Sequence, residues 1–520
     1  MAFRCPHCGG NAVFDAGTQL MRCEYCDSVF SAEDFQVKDK SRQQDIPEAE
    51  LSLFTCGGCG AELQGTDESV VGFCPYCGGQ SLLHRKDTTG NRTEYVLPFQ
   101  ISREQCAELY KNHAAKVRYL PKELTRPEHL ESFTGIYMPF YEYDVEMGRS
   151  NITGTKTVES HARYDVVNTY RIDAAVDGGL CRVAFDASRY LDDEISERAQ
   201  PFDMRKARAF DPSYLSGFYA DASTVSPDTY FREAEQQASD DMVDEVAEQL
   251  AVCEGITVDK AASGFETRAR GYHTALLPMW FLTWRKGDRV AYAVVNGESG
   301  KVVSDLPVDM KSFGFGCLII AAVLFAVLEL LFQPTPLITS VVSLIAGMLM
   351  ASSVKSAAKT VYEKQTHAND KGWSQDAGQP AQAAPDGKKK RKNRTHVPSV
   401  VWVFLAVFAA YYVFSDTNIG FAKLVAVAAV LLLLLEVRSI AVWQKSIPEK
   451  QPILAILLTL FGVILNAAIV FISPVNDGWY YLGDAVCILI LILASVAMTR
   501  VYNIGTTRPL PKLFDRRRVG

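Results

Sequence analysis

Eight thiols in this chain are spaced to bind metal. Cys5/Cys8, Cys23/Cys26, Cys56/Cys59 and Cys74/Cys77 are Cys-x-x-Cys pairs, and in each half fourteen residues separate one pair from the next. Two such turns joined by a hairpin bring four sulfurs to the corners of a tetrahedron, the geometry Zn²⁺ accepts in a closed structural site. Glycine after a pair lets backbone amides fold toward the thiolates and share their charge. The spacing therefore predicts two small β zinc ribbons, residues 1–36 and 51–87, with one structural zinc ion in each. His7 lies inside the first knuckle and is expected to face solvent rather than metal, since four cysteines already complete the set. Disulfides would need an oxidising compartment, and no signal peptide precedes Cys5.

What must position these ribbons is a chain of 520 residues whose composition falls into three parts. Residues 1–90 carry 7 Lys+Arg against 13 Asp+Glu, a net −6, whereas residues 313–520 carry 20 against 11, a net +9. Residues 92–311 alternate helix and strand signals and are expected to form a soluble α+β domain. Ser102 caps a helix running to Tyr119, and Asp228–Val252 forms a second. Strands are expected at Ile136–Met147, Tyr164–Val176, Ile256–Arg270, Leu276–Trp284 and Arg289–Val295. Met138-Pro139-Phe140-Tyr141 and Leu277-Pro278-Met279-Trp280 echo one another, each placing proline at an expected strand start.

After Lys311 the sequence turns apolar. Six stretches are long enough to cross a bilayer: Phe313–Phe332, Leu337–Val354, Pro398–Ser415, Phe421–Val437, Pro452–Ile472 and Leu482–Thr499. They predict an all-α, six-span membrane region, a hairpin over 313–354 and four helices over 398–499. Loops 333–336, 416–420 and 473–481 hold no Lys or Arg, whereas 355–397, 438–451 and 500–520 hold ten, three and six. That bias places the N-terminus, both ribbons and the basic tail 500–520 in the cytoplasm, where thiols stay reduced for metal. Glu329, Lys423 and Asp484 fall near the opposite ends of their spans, where side chains can snorkel. Ser343 and Gly347 suggest a helix-packing face. Loop 355–397 reads as disordered, and its run Lys388-Lys389-Lys390-Arg391-Lys392 suits anionic headgroups of the bilayer.

No catalytic constellation stands out. Gly297-Glu298-Ser299-Gly300-Lys301 lacks the spacing of a phosphate loop and reads as a hairpin turn. Cys106, Cys181, Cys253, Cys317 and Cys487 show no pairing pattern and are expected as buried filler. Nucleic acid is an unfavoured partner, because residues 1–90 are acidic and each Zn(Cys)₄ centre adds about −2. Protein recognition suits the ribbons better, through aromatics expected to be exposed: Tyr25, Phe30 and Tyr76.

With these ribbons, Val96-Leu97-Pro98-Phe99, Tyr137-Met138-Pro139-Phe140-Tyr141, Leu277-Pro278-Met279-Trp280 and Val295-Asn296-Gly297-Glu298-Ser299-Gly300-Lys301-Val302 make the chain resemble the bacterial TFIIB-type double zinc-ribbon membrane proteins, the YdjG-like family. That resemblance implies a multi-pass inner-membrane adaptor working with SPFH or phage-shock-A-type proteins in envelope stress. By it, Cys5, Cys8, Cys23, Cys26, Cys56, Cys59, Cys74 and Cys77 are zinc ligands. The expected function is a non-enzymatic scaffold whose ribbons recruit a cytoplasmic protein. The alternatives are a membrane-tethered nucleic-acid binder and a transporter with cytoplasmic regulatory domains.

Overall fold

The computed structural model describes residues 4–31, 52–65, 74–79, 83–87, 93–160, 165–172, 179–331, 336–367, 370–374 and 450–510, with scattered helical positions between 423 and 441. The N-terminal hairpin has strands β1 (Ala12–Asp15), β2 (Leu20–Cys23) and β3 (Val29–Phe30), forming a three-stranded sheet. The second hairpin supplies β4 (Ser52–Cys56), β5 (Glu62–Gly65) and β6 (Leu83–Asp87).

Two long strands form the spine of the soluble domain. After β7 (Tyr95–Val96), helix α1 (Arg103–Ala114) and the single turn α2 (Pro127–Leu130) comes β8 (Thr134–Ser160). Then follow β9 (Asp165–Ile172), β10 (Leu180–Asp186), α3 (Asp193–Ala199), β11 (Arg208–Ala209), β12 (Tyr219–Asp221), α4 (Phe231–Glu254), β13 (Thr257–Val258) and β14 (Gly264–Lys286). β8 and β14 run antiparallel from Thr134 opposite Phe281 to Asn151 opposite Gly264. Bulges at Phe265/Thr267 and Ala269/Gly271 let β14 bend and continue where two strands were expected. The two proline motifs lie in the middle of these strands, not at their starts: Leu277 pairs with Met138 and Leu276 with Pro139. The proline carbonyls still find donors on neighbouring elements, Gly297 N–H for Pro278 and Ala187 N–H for Pro139. Against the β8–β14 sheet stacks an aromatic core in which Phe99 lies 4.3 Å from Phe218 and 5.1 Å from Trp280.

Local chemistry accounts for the elements around this spine. Ser102 Oγ accepts from Gln105 N–H at 3.3 Å while Gln105 Oε1 accepts from Ser102 N–H at 2.9 Å, a capping box that starts α1. β15 (Arg289–Asn296) and β16 (Val302–Ser304) are joined by the expected turn. Asn296 Oδ1 accepts from Glu298 and Ser299 N–H at 2.8 and 2.9 Å, and its Nδ2 donates to Ala199 O at 2.9 Å. Gly297 has no room for a side chain: a Cβ there would stand 2.6 Å from Phe99. Those contacts explain the Asn-Gly-x-x-Gly sequence as a packed turn.

Beyond it come helices α5 (Met310–Leu331), α6 (Pro336–Gln365), the short α7 (Lys371–Ser374), α8 (Gln451–Ile472) and α9 (Gly478–Gly505), then strand β17 (Arg508–Pro509). Three described helices are long and apolar enough to cross a membrane, over Thr339–Gln365, Gln451–Ile472 and Gly478–Gly505. The described residues thus carry three candidate spans, not six. α5 occupies the first expected span and is apolar over Met310–Ile320. The span expected at 398–415 lies outside the described residues, and that at 421–437 is described only at scattered helical positions. The Lys388–Lys392 run also lies outside them.

The first part of the segment expected as a disordered loop is helical. α6 continues to Gln365 because its last turns pack on other elements, with Lys355 paired to Glu436 at 2.7 Å and Lys364 to Asp305 at 2.5 Å. Asp484 does not snorkel either: it is only 7% exposed and turns inward, toward α6 and α8. Within the bundle, a Cβ on Gly347 would overlap Val463 Cγ2 on α8, so Gly347 permits close approach of the backbones. Gly347→Leu is expected to cost at least about 1–3 kcal/mol through overpacking, read as a lower unfolding temperature of the detergent-solubilised chain. An unchanged midpoint would remove this contact from the packing argument.

The ends of α6 and α9 meet the soluble domain. Arg289 donates through Nη2 to Ile504 O and Thr507 O, both at 2.8 Å, and Val290 pairs with Arg508 across β15 and β17. Asp305, in the segment after β16, is 14% exposed; it takes Lys364 at 2.5 Å and Arg198 at 3.2 Å, with Arg508 at 3.8 Å.

Candidate metal centres

All eight predicted ligands gather into two groups of four, Cys5/Cys8/Cys23/Cys26 and Cys56/Cys59/Cys74/Cys77. In the first, Cys5 Sγ is 3.6 Å from Cys26 Sγ and Cys8 Sγ is 3.5 Å from Cys23 Sγ. In the second, the pairs Cys56/Cys77 and Cys59/Cys74 both stand 3.7 Å apart. A regular tetrahedron with metal–sulfur bonds of about 2.3 Å has an edge of about 3.8 Å. The thirteen cysteines are all free thiols, so no disulfide competes. Each group could hold a metal ion, and the donor set is compatible with zinc.

Each knuckle is built the same way. The residue after the second Cys folds its N–H back onto the first Cys carbonyl: Gly9 to Cys5 at 2.9 Å, Gly60 to Cys56 and Gly78 to Cys74 at 2.8 Å, Asp27 to Cys23 at 3.1 Å. That turn needs left-handed backbone, with φ of 74°, 81°, 64° and 56° at Gly9, Gly60, Gly78 and Asp27. Glycine supplies it freely in three knuckles. In the fourth, Asp27 is one of the few residue types that tolerates it, and Arg22 pairs with its carboxylate at 2.8 Å. Amides of His7, Gly10 and Tyr25 then point at Cys5, Cys8 and Cys23 sulfurs at 3.3–3.4 Å, sharing thiolate charge. His7 itself is exposed, with the described contact made by its backbone.

The two centres differ in where they sit. Hairpin β1–β2 is docked through Phe14, 5.2 Å from the Tyr214 ring, through Ser216 Oγ donating to Ala12 O at 2.6 Å, and through fully buried Met21. Its metal end faces outward, with Cys8 and Cys26 exposed and Tyr25 86% exposed. The second centre is inside the domain. All four of its cysteines are buried in a core that also holds Ile136, Met138 and Phe281. Its β5 pairs with β12, Leu63 opposite Asp221, so the ribbon is part of the large sheet.

Tyr76 is therefore not exposed as the sequence suggested. It is 2% exposed, and its hydroxyl donates to Asp221 Oδ2 at 2.6 Å. Burial pushes the phenol well above its ordinary range, and the nearby Asp221 charge adds to this. Burial likewise raises the Asp221 carboxyl to about 6, against the hydrogen bonds from Ser188 and Tyr76. Phe30 is partly buried against the core, which leaves Tyr25 as the aromatic displayed at a metal end. Of the five unpaired cysteines, Cys106 and Cys487 are buried as expected, Cys181 is half-buried, and Cys253 and Cys317 are exposed.

Asp221 and Asp27 were the site residues not singled out from the sequence. Asp27 had a signal: it stands at the same offset from its Cys pair as Gly9, Gly60 and Gly78.

Together these features describe two Cys₄ groups that could each hold a metal ion, set on a sheet-rich domain joined to helices long and apolar enough to cross a membrane. The chain is similar to the uncharacterized protein YdjG of Bacillus subtilis strain 168, 24% identical over 315 residues that cover 59% of this chain and 91% of that protein. The similarity supports the YdjG-like resemblance read from the motifs. No family model matches the chain, and no solved structure matches it.

Proposed function

We propose that this protein is a non-enzymatic scaffold of the bacterial inner membrane that binds two structural zinc ions and uses its first, TFIIB-type ribbon to recruit a cytoplasmic protein. The observation that carries this reading is the exposed metal end of that ribbon, with Tyr25 at its tip. An aromatic side chain fixed on a metal-stapled turn presents apolar area with little entropy left to lose on binding. The second ribbon, buried in the sheet, stiffens the platform beneath it. Charge bias of the loops supports N- and C-termini in the cytoplasm. The partner is an SPFH or phage-shock-A-type envelope-stress protein, and Lys388–Lys392 adds attraction to anionic headgroups.

The test is crosslinking and capture of the tagged full chain from its own membranes, read by mass spectrometry beside a Tyr25→Ala variant. An SPFH or phage-shock-A-type protein retained by the native chain and depleted at least about tenfold by Tyr25→Ala is the expected result. Equal capture by both chains, or recovery of nucleic-acid-bound proteins in its place, would reject this role for the ribbon.

A further inference from the structure

Beneath the ends of α6, α8 and α9 that point away from the soluble domain lies a buried polar cluster. Asp484 on α9 is its centre. Thr339 Oγ1 donates to Asp484 Oδ2 at 2.5 Å, and Ser343 Oγ donates to Oδ1 at 3.1 Å. Ser340 Oγ adds a longer contact to Oδ1 at 3.4 Å, and Asn466 Nδ2 on α8 donates to Oδ1 at 3.0 Å. Ser340 and Asn466 are fully buried. At a rise of about 1.5 Å per residue, these groups sit some 5–10 Å inside the helix ends.

Two features leave scope for a further ligand in this cluster. No described Lys, Arg or His forms an ion pair with Asp484, so a carboxylate is placed among apolar helices without a countercharge. Asn466 Oδ1, on the amide whose other end touches Asp484, is buried and has no hydrogen-bond partner among the described residues. Such an acceptor ordinarily costs free energy unless something fills its place.

We propose that this cluster is a binding site for a small monovalent cation, for which Na⁺ is the probe. Asp484 supplies the one negative charge that a monovalent ion neutralises, whereas a divalent ion would leave a net positive charge in an apolar setting and asks for more carboxylates. Oxygens from Asp484, Thr339, Ser343, Ser340 and Asn466 come from three helices, so one ion ties all three together. The Ser340 and Ser343 hydroxyls can each turn a lone pair to the ion and the proton toward a carbonyl one helical turn earlier. Protonation of Asp484 would remove the charge but leave the Asn466 oxygen unmatched in its present orientation. The helices are continuous through the cluster, so the ion locks the bundle and is not conducted through broken helices.

The experiment is thermal unfolding of the purified full chain in detergent, in NaCl against choline chloride at equal ionic strength, from pH 6 to 8. A saturable rise of several degrees in NaCl is expected for the native chain, absent in Asp484→Asn although that variant still unfolds cooperatively. If Asp484→Asn does not fold, Ser343→Ala replaces it and should shift the half-saturating NaCl concentration upward about tenfold. Identical unfolding in the two salts, an undiminished NaCl response in Asp484→Asn, an unshifted one in Ser343→Ala, or a response that follows pH and ignores Na⁺ would each overturn the assignment.

Discussion

Cys56→Ser should cost this protein its soluble domain, whereas Cys8→Ser should cost it only the tip of one hairpin. Both changes remove one thiolate from a four-sulfur set, and structural zinc contributes on the order of 10 kcal/mol or more to folding. The difference lies in what each centre supports. Cys56 is fully buried in a core shared with Met138 on β8 and Phe281 on β14. Its neighbour β5 is a strand of the large sheet, and Tyr292 Oη donates to Tyr76 O at 2.5 Å from the other side. An energy of that size approaches the whole stability of a domain, about 5–15 kcal/mol. Around Cys8, by contrast, β1 and β2 stay anchored through Phe14, Ala12 and Met21 when the metal end opens. Metal content should fall from two ions per chain to one in both variants. Limited proteolysis should then degrade residues 93–309 in Cys56→Ser and spare them in Cys8→Ser. Equal protease resistance in the two would show that the buried centre is dispensable to the sheet.

The second large effect is expected at Asp305. Lys364 and Arg508, each with an 11% exposed side chain, converge on its carboxylate. Burial alone would raise this carboxyl, but Lys364, then Arg508 and Arg198, hold it below its ordinary range. Asp305→Ala leaves the nearly buried Lys364 without this carboxylate, a defect of about 3–5 kcal/mol, while Arg508 keeps Asp192 at 3.0 Å. Hydrogen exchange should speed up at β17 and at the ends of α6 and α9 while the β8–β14 core stays protected. Unaltered exchange at those ends would mean that the junction is held by Arg289 and the β15–β17 pairing instead. The pH dependence has a definite sign. A carboxyl with a depressed folded pKa stabilises above its unfolded value, about 3.9, and that contribution fades as pH falls through the folded value. The Asp305 contribution should therefore be intact at neutral pH and lost only below about pH 4.

The two four-cysteine groups were legible in the sequence because Cys-x-x-Cys spacing is a local constraint that little else imposes. The helix caps and the Asn296 turn were legible for the same reason: Ser102 with Gln105, and Asn296 with Glu298 and Ser299, interact over a few residues. What local pattern does not encode is which strands become neighbours. The Leu63–Asp221 pairing joins residues far apart in the chain, so the second ribbon read as a free module and Tyr76 as an exposed side chain. The two proline motifs read as strand starts because proline removes a ladder donor, while their mid-strand positions depend on carbonyl partners at Ala187 and Gly297. Asp484 near a helix end looked free to reach water. Its fate was set by hydroxyls on another helix, more than 140 positions earlier.

The pairing of β15 with β17 also fixes a schedule. Arg289 and its partner Thr507 are 218 residues apart, which at about 5–20 residues per second separates them by some ten to forty seconds of translation. During that interval Arg289 and Asp305 are already made and lack the partners that α9 and β17 bring. β15 therefore gains its β17 partner only after the last described helix has been made, which couples completion of this edge of the sheet to synthesis of the apolar helices.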